Sequence, residues 1–82
     1  MDRNDVLEKV IEICKDVFDN ENLILTEASC AANVEEWDSL THLSVISDIE
    51  DEFDISFTLD EITNSRNLGE IVNVLIRHIE ES

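Results

Sequence analysis

Apolar residues recur at three- and four-residue spacing in several stretches of the chain, which is the pattern of amphipathic helices. The first stretch predicts a helix over about Asp5–Asp19, with Asn4 as its N-cap. The second stretch predicts a helix that begins at Ser39 and has Asp38 as its N-cap. The apolar positions of the first helix are Val6, Leu7, Val10, Ile11, Cys14, Val17 and Phe18.

Two further helices are predicted towards the end of the chain by their capping residues. Thr58 and Glu61 have the spacing of a capping box and predict a short helix that ends near Asn64. Asn67, with Glu70 three residues later, predicts the start of a longer fourth helix. The apolar stripe of this fourth helix comprises Leu68, Ile71, Val72, Leu75, Ile76 and Ile79.

Residues 20–36 show no helical periodicity and predict a long loop, which often lies beside a functional site. Three longer helices and one short third helix predict an all-α fold, a small four-helix bundle with this long loop between helices one and two. We expect residues 1–82 to form one domain. Four apolar side chains are expected to hold the loop against the helices: Leu23, Ile24, Leu25 and Val34.

The second predicted helix has one face for the core and another for solvent. Its core face comprises Val45, Ile46, Ile49 and Phe53. Its outer face comprises Leu40, Ser44, Ser47 and Asp51, with Leu43 beside them. The two leucines on this side are covered either by the long loop or by a partner protein.

The net charge of −16 comes from 21 acidic and 5 basic residues, and neither Lys nor Arg occurs between Lys15 and Arg66. We therefore do not expect nucleic acid or anionic membranes as ligands, because phosphate contacts need basic side chains. Protein partners are expected to present basic patches. Arg77 and His78 lie in the last turn of the fourth predicted helix, where the helix dipole favours cations.

The two cysteines, Cys14 and Cys30, fit neither a metal motif nor a disulfide-rich scaffold. Cys14 lies on an apolar helical face, which predicts a buried free thiol. The chain begins without an apolar signal region, and no run approaches the roughly 20 apolar residues of a membrane span. We expect a cytoplasmic monomer that does not insert into membranes.

Candidate chemistry is confined to the start of the second helix. Ser39 and His42 are three residues apart, but no acidic partner is specified and His42 falls on the core-facing side. We therefore expect a buried, hydrogen-bonded His42 and no catalytic residues. The acidic run from Asp48 to Asp54 lacks the pattern of a Ca²⁺ loop, so no metal site is expected. A serine hydroxyl remains at a helix N-terminus, where phosphate groups are favourably held, and this indicates a modification site.

The segment Trp37-Asp38-Ser39-Leu40, followed by a helical run that ends in Glu50-Asp51-Glu52-Phe53, resembles the acyl carrier protein family. The D-S-L motif and the E-x-E-F segment are distinctive of that family. Its serine carries a 4'-phosphopantetheine arm through a phosphodiester, and the thiol of the arm holds acyl groups as thioesters. The resemblance implies that Ser39 is the attachment residue and that the chain is not an enzyme.

The resemblance also implies the partners. These are a phosphopantetheinyl transferase and acyl-loading, condensing or acyl-transferring enzymes with basic docking patches. The residues expected to contact them are Asp38, Leu40, Leu43, Ser44, Ser47, Glu50 and Asp51.

The chain departs from many fatty-acid carriers at several positions. It has Trp37 where they have Gly, and Thr41, Ser44 and Ser47 where they have acidic or large apolar residues. These departures favour a dedicated pathway of fatty-acid, polyketide or related biosynthesis. One alternative is an aminoacyl or peptidyl carrier of a nonribosomal pathway, which the strong acidity disfavours. Another is an unmodified acidic helical interaction module, which would not need the Ser39 hydroxyl.

Overall fold

The computed structural model describes residues 2–81, which form four helices in chain order. These are α1 (Arg3–Phe18), α2 (Ser39–Phe53), α3 (Leu59–Asn64) and α4 (Leu68–Glu81). The predicted all-α bundle of three longer helices and a short third helix is confirmed. In the described part of the chain, β-type pairing is limited to one isolated bridge between Cys30 and Asn67.

The core lies between α1, α2 and α4, each of which buries one face. Residues at four-residue spacing along α1 are buried, which confirms Cys14 as a buried free thiol. Burial of this thiol raises the pKa of Cys14 to about 12. Full burial of an aliphatic side chain contributes roughly 1.5–3 kcal/mol, so the core supplies most of the stabilising free energy. The residues with no exposed surface are Val6, Val10, Cys14, Val45, Ile49, Leu68, Ile71, Val72 and Leu75.

The N-terminal end of α1 differs from the prediction. Asp2, and not Asn4, is the N-cap residue, and its side chain forms no capping hydrogen bond. The first backbone hydrogen bond of the helix runs from the Val6 N–H to the Asp2 carbonyl. The helix therefore begins at Arg3 without a side-chain cap. Asp19 ends the helix in the left-handed conformation with a φ of 53°. Aspartate tolerates this conformation better than most residues with a Cβ atom.

The loop between α1 and α2 packs on the core through alternate side chains. Leu25, Val34 and Trp37 are buried, and Leu23 packs against the core. Ile24 is 89% exposed, so the prediction that it holds the loop is wrong. Leu23 and Leu25 occupy the inward positions of an irregular segment, and the side chain between them points to solvent.

The same loop is also bound to the start of α4. The N–H groups of Leu68 and Gly69 donate to the carbonyls of Ser29 and Glu27, each over 2.9 Å. A Cβ atom at position 69 would lie 3.1 Å from both the Cβ and the carbonyl oxygen of Glu27. Glycine at this position therefore allows the loop backbone to approach α4 closely.

The caps of α3 and α4 are those that the sequence predicts. Thr58 and Glu61 form a reciprocal capping box, in which Glu61 accepts from the Thr58 N–H over 2.8 Å. The side chain of Asn67 accepts from the Glu70 N–H over 2.8 Å. α3 itself contributes no buried residue to the core. Its position therefore depends on partly buried apolar contacts and on polar side chains.

Arg77 and His78 bind α3, in addition to any interaction with the dipole of their own helix. Arg77 donates to Glu61 over 2.8 Å, and Nε2 of His78 lies 2.9 Å from the same carboxylate. The Thr58 N–H, and after it His78, lower the pKa of Glu61 to about 2. The ring of Phe57 also packs edge-on against His78. One carboxylate therefore joins α3 to α4.

Across residues 2–81, each helix is too short or too polar to span a membrane.

Candidate functional site

The first turn of α2 is held by a reciprocal capping box. The Asp38 carboxylate accepts from the Thr41 N–H over 2.9 Å, and the Thr41 hydroxyl accepts from the Asp38 N–H over 2.8 Å. The Thr41 N–H is the main cause that lowers the pKa of the Asp38 carboxyl. The prediction that α2 begins at Ser39, with Asp38 as its N-cap, is confirmed.

Ser39 is the first residue of α2, and its side chain is exposed. Its hydroxyl forms no hydrogen bond with any other part of residues 2–81. Capping is done by Asp38 and Thr41, so this hydroxyl is not needed to hold the helix. A phosphate group on Ser39 would lie at a helix N-terminus, where the dipole and the first N–H groups favour an anion.

A cleft of about 430 Å³ opens beside Ser39, between the start of α2 and α3. Its walls are mainly apolar, and its volume is in the range of small-molecule sites. The residues that line it are Ala31, Trp37, Asp38, Ser39, His42, Leu43, Leu59, Ile62, Thr63, Ser65 and Arg66. An exposed hydroxyl next to an apolar cleft fits a covalently attached arm that carries an apolar group.

His42 joins three parts of the site. Its Nδ1 accepts from the indole N–H of Trp37 over 3.1 Å, and its Nε2 lies 3.2 Å from the Ile62 carbonyl oxygen of α3. A carbonyl only accepts, so the ring proton must lie on Nε2. Both ring nitrogens of His42 are therefore occupied by hydrogen bonds within the protein. His42 is half-buried rather than fully buried, because one edge of its ring faces the cleft.

Most of the residues predicted to contact partners lie on the surface of α2. Leu40 and Leu43 are 75% and 54% exposed, so the long loop does not cover them. Asp38 is exposed at the N-cap. The remaining predicted residues that are exposed on this side of α2 are Ser44, Ser47 and Asp51.

Glu50 and Thr41 have structural contacts that the sequence pattern does not indicate. Glu50 is half-buried, and its carboxylate accepts from the Phe57 N–H over 2.8 Å. Thr41 is half-buried, and its hydroxyl also donates to the Glu36 carbonyl over 3.0 Å. Of the three residues that differ from many fatty-acid carriers on this side of α2, Ser44 and Ser47 are therefore the ones that are exposed.

The sequence pattern does not predict that several of these residues line the cleft. Trp37 is 4% exposed and stacks on His42, with ring centroids 6.0 Å apart. Leu59 is 77% exposed at the start of α3, and Ile62 follows one turn later. A helix of 6 residues is too short to show a periodic pattern, so its contribution to the cleft has no sequence signal.

Arg66 is the one basic side chain that lines the cleft. It is exposed and forms no ion pair within the described part of the chain. The backbone N–H of Arg66 donates to the Glu70 carboxylate over 3.2 Å. The site thus has the Asp38 carboxylate beside Ser39 and one cation elsewhere on its wall.

Among residues 2–81, no group of His, Cys, Asp and Glu side chains is arranged to hold a metal ion.

Residues 8–75 match the protein family described as "Phosphopantetheine attachment site". The structure is similar to the solution NMR structure of a holo acyl carrier protein from Geobacter metallireducens, with a TM-score of 0.85 and 28% sequence identity. That alignment covers 93% of this chain and 87% of the other. No curated protein sequence matches significantly.

Proposed function

Because the chain belongs to the phosphopantetheine attachment site family, we propose that it is an acyl carrier protein whose arm is attached to Ser39. The family and the similarity to a holo acyl carrier protein indicate a carrier with covalently attached 4'-phosphopantetheine, and not an enzyme. When bound, the group supplies a thiol that holds acyl groups as thioesters.

The observation that carries the assignment to Ser39 is its free, exposed hydroxyl at the start of α2. Ser44 and Ser47 are also exposed, but they lie within the helix and not at its N-terminal end. Among the exposed serines of α2, Ser39 also lines the apolar cleft. Accessibility, helix position and the cleft therefore all favour the same residue.

Each residue of the site has a separate part in the carrier function. A phosphopantetheinyl transferase moves the arm from coenzyme A to Ser39. The Ser39 oxygen forms the new phosphoester bond and loses its proton, while the diphosphate bond of coenzyme A breaks and the adenosine bisphosphate portion leaves. Asp38 and Thr41 keep the first turn of α2 formed while Ser39 reacts. The positive end of α2 favours the attached phosphate by about 0.3–1 kcal/mol at an exposed site.

Partner enzymes are proposed to dock on the exposed side of α2 beside Ser39. Leu40 and Leu43 offer apolar contact area, and Asp51 contributes negative charge further along the helix. The net charge of −16 steers basic surfaces towards the carrier. Leu59 extends the apolar area onto α3.

We assign the carrier to a dedicated pathway of fatty-acid, polyketide or related biosynthesis. Ser44 and Ser47, where many fatty-acid carriers have acidic or large apolar residues, support this assignment. Both cysteines are unpaired, which supports a reducing, cytoplasmic location. The aminoacyl or peptidyl carrier of a nonribosomal pathway is the second candidate, and loading assays with acyl and aminoacyl groups would separate the two.

Intact-mass measurement tests the attachment residue. The wild-type chain is incubated with a phosphopantetheinyl transferase and coenzyme A, beside Ser39→Ala and the control Ser44→Ala. We expect one arm on wild type and on Ser44→Ala, and none on Ser39→Ala. An unmodified wild type, or a modified Ser39→Ala variant, would overturn the assignment. An unmodified wild type would instead favour the acidic interaction module.

A further inference from the structure

We infer that His42 is a positioning residue for the attachment site, and that its neutral Nε2–H form holds α3 as the wall of the cleft beside Ser39. His42 lies one turn after Ser39 on α2, whereas Leu59, Ile62 and Thr63 form the α3 side of the cleft. The hydrogen bonds that hold α3 in place do not depend on an attached arm. That this wall also shelters a group carried on Ser39 is an inference that rests on the proposed function.

The hydrogen bonds of His42 allow one arrangement of its ring proton. The Trp37 indole nitrogen can only donate, so Nδ1 of His42 must accept over their 3.1 Å separation. The Ile62 carbonyl can only accept, so Nε2 of His42 must donate over 3.2 Å. The loop, α2 and α3 are therefore joined through one neutral imidazole.

α3 has few other attachments. It contains no fully buried residue, and Leu59 at its start is 77% exposed. On the α4 side it is held by Glu61, which binds Arg77 and His78. On the α2 side, the bond from His42 to Ile62 is the one hydrogen bond between the two helices in residues 2–81. Loss of this bond should loosen the cleft wall on the Ser39 side.

Protonation of His42 would remove this arrangement. A second N–H on Nδ1 would face the indole N–H of Trp37 across 3.1 Å, and two donors cannot share a hydrogen bond.

The charged groups around His42 are few. Asp38 on the preceding loop and Arg66 after α3 line the same cleft, and Glu61 of α3 is bound to α4. Phe18 is the α1 side chain in ring contact with Trp37, and it carries no charge.

A matched pair of substitutions separates the two bonds of His42. In His42→Gln, the amide nitrogen can take the place of Nε2 and donate to Ile62. In His42→Asn, the shorter side chain can accept from Trp37 but does not reach Ile62.

Hydrogen exchange of the α3 amides in the unmodified chain is the primary measurement. At pH 7.5 we expect exchange at least tenfold faster in His42→Asn than in wild type, with α1 and α4 unchanged and His42→Gln close to wild type. Equal α3 protection in both variants would overturn the positioning role.

The NMR signal of the Trp37 indole N–H is a second, local measurement. Trp37 is the chain's one tryptophan, so the signal needs no further assignment. We expect it to stay close to its wild-type position in His42→Asn, which can still accept from the indole N–H, and to move in His42→Gln. A signal at the same position in wild type and both variants would contradict the acceptor role of Nδ1.

The sheltering role is tested on chains that intact mass shows to be loaded with an acyl group. If the wall keeps water away from the thioester, hydrolysis should be several-fold faster in His42→Asn than in His42→Gln. Equal hydrolysis rates would show that this wall does not shelter the thioester. If Ser39 proves not to be the attachment residue, the proposed function fails, whereas the exchange result on the unmodified chain still decides the role of His42.

Discussion

Glu61 of α3 lies 2.9 Å from Nε2 of His78 on α4, and this contact is part of a three-way arrangement around one carboxylate. The same side chain accepts from the Thr58 N–H over 2.8 Å and from Arg77 over 2.8 Å. It therefore caps α3 and joins it to α4. Glu61 is 15% exposed, so these bonds are partly shielded from solvent.

Glu61→Gln should destabilise the fold by roughly 1–3 kcal/mol, because charge-assisted bonds to Arg77 and His78 are replaced by weaker ones. Denaturant unfolding measures the change in the free energy of unfolding. Asp60→Asn is the control, since Asp60 is adjacent and exposed on the same helix. Equal effects of the two substitutions would show that general charge reduction, and not the Glu61 contacts, determines stability.

The stability contribution of Glu61 should depend on pH in a defined direction. Its folded-state pKa is lowered from 4.5 to about 2, so the unfolded chain binds the proton more tightly. The contribution is fully present above pH 4.5 and is lost as the pH falls towards 2. The difference in unfolding free energy between wild type and Glu61→Gln should therefore shrink between pH 5 and pH 2. A difference that stays constant over this range would contradict the lowered pKa.

The two cysteines should react at very different rates. Cys14 has no exposed surface, and burial raises its pKa to about 12, whereas Cys30 is half-buried. The thiolate is the reactive form, so a disulfide reagent at pH 8 should modify Cys30 first and Cys14 only when the chain unfolds. Cys14→Ser and Cys30→Ser identify the two phases. Rapid labelling of Cys14 in the folded chain would show that α1 opens readily.

Gly69→Ala should lower stability, although alanine is normally favoured over glycine in a helix by about 1 kcal/mol. The added Cβ would lie 3.1 Å from Glu27, where the loop backbone meets α4. We expect a net loss of roughly 1–3 kcal/mol from this overpacking, measured by denaturant unfolding. Ser47→Ala on the exposed side of α2 is the control and should change stability by less than about 0.5 kcal/mol. A stabilised Gly69→Ala would mean that the loop can move away without cost.

Salt or Mg²⁺ should raise the melting temperature. The net charge is −16, and the described ion pairs involve Arg3, Lys9, Arg77 and His78 only, so most carboxylates repel one another. At 0.1 M ionic strength, counter-ions largely screen the repulsion between exposed charges that are more than about 10 Å apart. Thermal unfolding followed by circular dichroism at increasing NaCl concentration checks the effect. A melting temperature independent of salt would show that the fold already compensates the repulsion.

The sequence by itself determined the helices, most of their caps and the candidate attachment residue. These features depend on short-range physics: apolar spacing along one helix, and side chains such as Asp38, Thr58 and Asn67 that accept from N–H groups three residues away. The position of Ser39 beside such a cap is equally local. The family resemblance adds the chemistry of the arm to that position.

The tertiary structure alone decided which side chains surround Ser39. Trp37, Leu59 and Arg66 meet in one cleft, although 29 positions separate the first from the last in the sequence. Likewise, the bond from His42 to Ile62 spans 20 residues, and the contact of Glu61 with His78 spans 17. Such contacts depend on how the helices pack across the core and on the path of the loops. The periodicity of one helix contains no information about the neighbour it will meet, which is why the cleft and its wall had no signal in the sequence.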